Sequence, residues 1–128
     1  MDYSKQSDFG INNLVAIALG AKVTESYEVG DSRAAVYYEL DEEEFCVRRG
    51  YGDINCQFDP CNNPADAWPI IVERKINIEW HEWKNSEWKP YALNNASTKS
   101  CYDNNPLRAA MVVFLMMQES ANVQDNPA

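Results

Sequence analysis

The segment DNNPLRAAMVVFLMM, at residues 103–117, contains the longest apolar run in the chain and predicts its central helix. Asn105 is a good N-cap because its side-chain oxygen can accept a hydrogen bond from an unpaired N–H of the first turn. Pro106 suits the first helical position, where a missing N–H costs nothing. The ten residues that follow Leu107 include a single polar side chain, Arg108. A helix with almost no polar face is buried on several sides, so we expect it from Pro106 to about residue 118, at the centre of the core.

The same helix start occurs earlier, in CNNPADAWPIIVE at residues 61–73. Asn63 and Pro64 repeat the cap, and Asp66 falls in the first turn, where the helix dipole favours an anion. Pro69 lies inside this helix, where a proline removes a hydrogen bond and clashes with the preceding turn. The helix is therefore expected to kink at Pro69, or a second short helix begins there. Because the flanking residues differ, the two Asn-Asn-Pro motifs are interpreted as two helix starts and not as an internal repeat.

A further helix is predicted over residues 7–20, capped by Ser7 and stopped by Gly20. Strand patterns, with alternating or β-branched and aromatic residues, occupy residues 23–29, 34–40, 44–49, 53–58, 76–83 and 87–93. Pro90 suggests that the last of these strands lies at a sheet edge or is bulged. Three helices and about six short strands joined by hairpins predict an α+β fold, with an antiparallel sheet packed against the helices. We expect a single domain over residues 1–128, with residues 120–128 as a frayed tail.

The acidic composition disfavours two classes of partner. The chain of 128 residues carries 11 Lys and Arg residues against 20 Asp and Glu residues, a formal net charge of −9. Such a charge repels nucleic-acid phosphates and anionic lipid at long range, so direct nucleic-acid binding is not expected. The longest apolar run is too short to span a bilayer, and no signal peptide is visible, so a cytoplasmic location without membrane contact is predicted.

The four cysteines are expected to be reduced in that compartment. Cys46 and Cys101 are interpreted as small buried apolar residues, and Cys56 and Cys61 could approach each other. Cys61 precedes a helix start, where a thiolate is favoured, so it is the one cysteine that merits a test as a nucleophile.

The single histidine, His81, lies in EWHEW between Glu79 and Glu82. A histidine beside carboxylates can act as a general base or bind a metal. On a strand, however, Glu79 and His81 share a face while Glu82 points the other way. No zinc-ligand spacing and no phosphate-binding glycine loop is present, so the sequence predicts no cofactor, no metal site and no catalytic residue, and leans against an enzyme.

The aromatic residues indicate a binding surface. Trp80, Trp83 and Trp88 cluster on one hairpin, and if Trp80 faces the core, Trp83 faces away. An exposed tryptophan beside acidic residues is a frequent interface anchor. The predicted partner or ligand surface is formed by residues from this hairpin and from an acidic segment interpreted as a solvated connection between strands: Trp80, Trp83, Trp88, His81, Glu82, Asp41, Glu42, Glu43 and Glu44.

Three hypotheses follow from these patterns. The first is a non-enzymatic module that binds another protein, with the four consecutive carboxylates steering a basic partner. The alternative is a small-ligand or nucleotide-binding protein with hydrolytic activity at His81, in which a tryptophan stacks on the ligand and Arg48, Arg49, Arg74 or Lys84 supplies charge. The third is self-association as a homodimer, since one side of the apolar last helix can be covered by a second subunit.

Four blocks of the sequence carry a family resemblance: DYSKQSDFGINNLVAIALG at residues 2–20, FDPCNNPADAWPIIVE at 58–73, INIEW at 76–80 and NPLRAAMVVFLMMQES at 105–120. They resemble the NinX-like proteins of lambdoid phages and prophages, encoded in the nin region. More loosely, the order of elements is similar to the phage ABA-sandwich domain, which implies helices packed on a sheet. The resemblance implies a phage accessory protein, acting on a host or phage protein in the host cytoplasm. It implies no established activity.

Overall fold

The predicted α+β class is confirmed by the computed structural model, which describes residues 1–30, 32–50 and 57–124, with side chains described through residue 121. The chain divides into two units, Met1–Asp59 and Pro60–Ala128. The described helices are α1 (Asp8–Ala18), α2 (Pro64–Arg74) and α3 (Pro106–Gln124). The described strands are β1 (Lys22–Val29), β2 (Arg33–Leu40), β3 (Glu43–Arg49), β4 (Ile76–Glu82), β5 (Trp88–Asn94) and β6 (Ser100–Tyr102). The single-domain organisation stays a prediction.

The first unit packs α1 against the antiparallel sheet β1-β2-β3. Helix α1 begins as predicted, because Ser7 Oγ accepts a hydrogen bond from Gly10 N at 3.1 Å, and it ends before Gly20, whose φ of 97° suits glycine. Tyr38 and Val47 from the sheet are buried in its core, and the Tyr38 hydroxyl donates to Asn13 Oδ1 on α1 at 2.5 Å. The burial of the tyrosine is therefore combined with a satisfied hydroxyl.

The connection between β2 and β3 is shorter than the acidic segment at residues 41–44 that was predicted to form it. Only Asp41 and Glu42 form the turn, with φ angles of 52° and 69°, and Glu43 already pairs with Leu40 as the first residue of β3. Two central residues with positive φ characterise the tight hairpin turn that matches the twist of the flanking strands. The interpretation of Glu43 as a loop residue is therefore wrong, and Glu44 lies in β3, within the predicted strand 44–49; all four carboxylates are exposed.

The strand predicted at residues 53–58 can be assessed only at its end, since residues 53–56 lie outside the described residues. Gln57 forms a single parallel bridge to Cys46, and Phe58 N donates to Cys46 O at 2.7 Å. These bonds attach the chain to β3 just before the first unit ends.

The second unit is built around α3, which packs on the antiparallel sheet β4-β5-β6 and against α2. The predicted central position of α3 is confirmed, because every residue from 109 to 115 is buried. The helix continues to Gln124, beyond its predicted end near residue 118. Among the described helices, none has both the length and the apolar character needed to cross a bilayer.

The prediction that Pro90 lies on an edge strand or in a bulge is wrong. Strand β5 is the middle strand of its sheet, and it pairs with β4 through Pro90 without a register shift. The N and C=O of one strand residue point to the same side, and Pro90 O accepts from Asp103 N, just past the end of β6. The missing N–H of Pro90 therefore points towards the end of β6, where the pairing between β5 and β6 has already ended. The three-residue strand β6, which causes this arrangement, was not predicted.

Helix α2 is one continuous helix through Pro69, so of the two predicted alternatives the second short helix is wrong, and the kink stays a prediction. The hydrogen bond that Pro69 cannot donate would reach Ala65, in the exposed first turn, where water can replace it. The helix ends at Lys75, whose φ of 57° is left-handed.

A buried amide closes the end of α2. Asn94 Nδ2 donates to the carbonyl oxygens of Arg74 and Lys75 at 2.9 and 3.3 Å. Its Oδ1 accepts from the backbone N and the hydroxyl of Ser97 at 2.8 and 2.7 Å. All the hydrogen-bonding groups of this buried side chain are engaged, which connects the helix end to the turn after β5.

The two Asn-Asn-Pro motifs meet in the structure. Asn105 Oδ1 accepts from the N–H groups of Leu107 and Arg108, as a cap should. Its Nδ2 donates to Cys61 O at 2.6 Å and to Asn62 Oδ1 at 3.1 Å. The cap of α3 therefore also holds the segment that starts α2.

We expect Asn105→Ala to lower the free energy of unfolding by about 3 kcal/mol, because it removes a helix cap and leaves the Cys61 carbonyl without this donor. Asn63→Ala is the matched control, since within the described part of the chain the Asn63 side chain accepts a single hydrogen bond, from Ala65 N at 3.0 Å. That variant should lose about 1 kcal/mol. Urea denaturation at 25 °C measures both values, and equal losses would show that the bonds from Asn105 to residues 61 and 62 do not stabilise the unit.

Candidate interaction surface on the second unit

The β4–β5 hairpin presents two different faces. Trp80 pairs with Pro90, His81 with Lys89, and Glu82 with Trp88. Since side chains alternate along a strand, Trp80, Glu82 and Trp88 lie on the face that also packs against α3, and His81 lies on the opposite face. The predicted division of the hairpin residues between two faces is thus present.

The face opposite α3 carries a cluster of stacked rings. Trp83 stacks on Tyr102 with 4.9 Å between ring centres, and Tyr102 lies 4.4 Å from Tyr91. The His81 ring is 4.6 Å from Tyr91, and Lys89 Nζ lies 5.5 Å from the centre of the Trp83 ring. These contacts stabilise the three strands against one another, because aromatic neighbours on a sheet face contribute beyond their buried area.

Within this cluster, His81 connects Glu79 to Tyr102 by hydrogen bonds. His81 Nε2 lies 2.9 Å from Glu79 Oε2, and Nδ1 lies 2.6 Å from the Tyr102 hydroxyl. A carboxylate can only accept, so the neutral tautomer that fits both bonds carries its hydrogen on Nε2 and accepts the phenol hydrogen at Nδ1. A hydroxyl, a base and a carboxylate that orients the base are the parts of a nucleophilic site.

The face that packs against α3 ends in an open patch, formed by Trp80, Glu82 and Trp88 and called here the indole face. The two tryptophans are 56% and 61% exposed. Among the described residues, none of the three takes part in a side-chain hydrogen bond, an ion pair or a ring contact. Glu82 lies directly opposite Trp88, so a carboxylate and two indole rings share one surface.

The predicted surface is therefore divided between two faces and two units. Trp83 is 45% exposed and faces away from Trp80, as expected, but it is stacked on Tyr102 and lies beneath Lys89. Asp41, Glu42, Glu43 and Glu44 are exposed in the first unit, at the end of the β2–β3 hairpin. The positions of Tyr91, Tyr102 and Lys89 in the cluster were not predicted, because they depend on strand register and on β6.

The cations considered for a ligand site are not part of the histidine cluster. Arg48 and Arg49 belong to the first unit, where Arg48 donates to the Tyr37 hydroxyl at 2.7 Å. Arg74 lies 5.2 Å from the centre of the Phe114 ring, and Lys84 is exposed in the turn between β4 and β5. The positive group near His81 is instead its strand partner, Lys89.

The described cysteines offer no accessible activated thiol. Cys46 is buried as expected, and Cys61 is also completely buried, which makes it a poor nucleophile despite its place before a helix. Cys101 is only partly buried, and burial, together with the charge of Asp103, raises the pKa of its thiol. Cys56 lies outside the described residues, so its approach to Cys61 stays a prediction. No group of three or more His, Cys, Asp or Glu residues in the described ranges is arranged to hold a metal ion.

The two hairpin tryptophans Trp83 and Trp88 should differ in their effect on stability. We expect Trp83→Ala to lower the free energy of unfolding by about 1–2 kcal/mol, because it removes the ring stacked on Tyr102. Trp88→Ala should change it by no more than about 0.5 kcal/mol, because the ring is exposed and makes no ring contact. Chemical denaturation checks both variants, and a larger loss for Trp88 would show that the indole face is part of the packing.

Comparison with known proteins agrees with the family resemblance that the four sequence blocks carry. The family model described as "Bacteriophage P22, NinX" matches residues 2–118. No curated protein and no solved structure matches the chain. The looser similarity to the ABA-sandwich domain stays an expectation. Because the matched range covers most of its length, this chain belongs to the NinX family of bacteriophage proteins.

Proposed function

We propose that this phage accessory protein is a non-enzymatic binding module whose indole face binds a basic side chain on a host or phage protein, in the host cytoplasm. The observation that supports the proposal is the exposure of Trp80 and Trp88, at 56% and 61%, without internal ring contacts. Trp83, which was the expected anchor, already has partners within its own sheet. Tryptophan is among the residues that contribute most to binding when a partner covers it.

The chemistry of the indole face favours a cation. A tryptophan ring attracts an ammonium or guanidinium group over its face, by about 0.5–2 kcal/mol depending on how far water is excluded. Glu82, opposite Trp88, supplies a carboxylate for the same cation. Arginine fits best, because its planar guanidinium can stack on an indole ring and donate to a carboxylate together.

The net charge supports a basic partner independently. Met1–Asp59 contains 12 of the 20 acidic residues and 5 of the 11 basic residues, so its formal charge is 5 − 12 = −7 and the second unit carries −2. The exposed carboxylates at 41–44 contribute to this field. A field of one sign accelerates the encounter with an opposite charge, whereas close contacts govern dissociation.

Affinity capture from infected-cell lysate tests the proposal. The wild type should retain a protein with a basic surface, and the double variant Trp80→Ala/Trp88→Ala should lose it. Ile17→Ala is the matched control, because Ile17 is 55% exposed in the first unit and contributes nothing to the indole face. Retention of the same protein by the double variant, or an acidic partner, contradicts the proposal.

Binding kinetics with the captured partner separate the two contributions. Replacing Asp41, Glu42, Glu43 and Glu44 by their amides should slow association severalfold and reduce its dependence on salt, with little change in dissociation. The indole-face variant should instead accelerate dissociation by roughly tenfold or more. Surface plasmon resonance measures both rates.

A second candidate function, small-ligand binding with hydrolysis at His81, is favoured by the bonds from Glu79 to His81 and from His81 to Tyr102. In this reaction the Tyr102 oxygen attacks an ester carbonyl while its proton passes to His81 Nδ1. The proton then passes from His81 to the leaving oxygen, and the alcohol or phenol departs. Water, deprotonated by His81, attacks the acyl-Tyr102 ester, which releases the acid and restores the Tyr102 hydroxyl. An uncharged ester is the suitable substrate, because Glu79 and the net charge of −9 repel an anion.

Hydrolysis of 4-nitrophenyl acetate tests this candidate. The wild type should exceed the buffer rate, and Tyr102→Phe and His81→Gln should each reduce the excess by at least about tenfold. Trp88→Ala is the control and should keep the wild-type rate. If His81→Gln leaves the rate unchanged, the hydrogen-bonded chain is structural and the candidate is rejected.

A further inference from the structure

Helix α2 exposes an apolar ridge on the side turned away from its buried residues. Trp68 is 63% exposed and Val72 is 49% exposed, whereas Ala67, Ile70 and Ile71 are buried. Residues four apart lie next to each other on a helix surface, so Trp68 and Val72 form one continuous ridge. Neither residue belongs to the indole face.

A groove of about 1290 Å³ lies beside this ridge, entirely within the second unit. Most of its apolar lining comes from three elements: Trp68, Ile71 and Val72 on α2, Ile76 and Ile78 on β4, and Met117 and Ala121 on α3. The ridge forms one wall of the groove, so the ridge and the groove together make a patch with a convex part and a concave part. Such a patch can be self-complementary across a two-fold axis.

The size of the groove favours a macromolecule over a small ligand. Small-molecule sites usually enclose about 300–1,000 Å³ and bury most of the ligand. This groove is larger, and its walls include strongly exposed side chains such as Trp68 and Val72. A small molecule in it would stay largely in contact with water.

The charges along the groove distinguish between protein partners. Its charged residues are Glu73, Arg74 and Lys75, so both signs are present. The Arg74 guanidinium already lies over the Phe114 ring, and Lys75 Nζ donates to Val72 O at 3.2 Å. A segment of one sign would therefore meet a like charge in the groove, an acidic segment at Glu73 and a basic segment at Arg74 and Lys75. A second copy brings the same mixed charges and the same ridge, so opposite signs can meet without a net repulsive field at the contact.

We propose that the groove is a self-association site, in which the Trp68–Val72 ridge of each copy enters the groove of the other. The two contacts are equivalent, as two-fold symmetry requires. A patch of one groove and two large side chains is small compared with an obligate dimer interface. The dimer is therefore in exchange with the monomer, with a dissociation constant in the micromolar range. The proposal goes beyond the binding function above and does not depend on it.

Sedimentation equilibrium of the full chain, from about 1 to about 100 µM, tests self-association. The apparent mass of the wild type should rise with concentration from 14.6 kDa towards twice that value. Trp68→Ser and Val72→Ser should each weaken association by at least about tenfold, because each removes part of the ridge and leaves the buried side of α2 intact.

Ile17→Ser is the control, since Ile17 is 55% exposed in the first unit and does not line the groove, and this variant should associate like the wild type. Circular dichroism confirms that each variant is folded. A wild type that stays monomeric at the highest concentration overturns the proposal, as does a dimer that both groove variants leave unchanged.

Discussion

Burial of α3 is the constraint on which the second unit depends. The helix is apolar on nearly every side, so it is stable only where other elements cover it. The sheet β4-β5-β6 covers one side and α2 covers another. Asn105 then fixes where this helix begins and, by donating to Cys61 O, where the segment leading into α2 lies. One side chain thereby sets the relative position of two helices, and the ridge and groove beside α2 follow from that position.

The alternation of side chains along each strand gives the β4–β5 hairpin two faces with different roles. Side chains of neighbouring residues point to opposite faces, so Trp80 and His81 cannot share an environment. On the face that carries His81, Tyr102 packs against the other rings, and the hydrogen bonds within this cluster are satisfied. Among the described residues, no other ring stacks on the indole rings at the end of the other face, and more than half of each indole side chain is exposed. A tryptophan with internal contacts mainly stabilises the fold, whereas one without them is available to a partner.

The sequence predicts those parts of the structure that depend only on a short segment of the chain. Asn-Pro starts, the apolar length of α3 and the alternation of β4 are local, and each is present. The position of Pro90 in a central strand is not local, because it depends on where the neighbouring strand ends. Strand β6 has only three residues, too few for a pattern, and so the stacking of Trp83 on Tyr102 could not be predicted. The alternation gave the two faces of the hairpin, but only the third strand distinguishes a packed indole from an open one.

The order of the elements along the chain affects biosynthesis. Strands β4, β5 and β6 leave the ribosome before α3 does, so the face that the helix will occupy is uncovered until residues 106–124 have been made. During that interval the nascent sheet presents apolar side chains to other chains and to chaperones. Folding of the second unit is therefore completed only after α3 has been made, and a premature stop before α3 would yield a sheet without its cover.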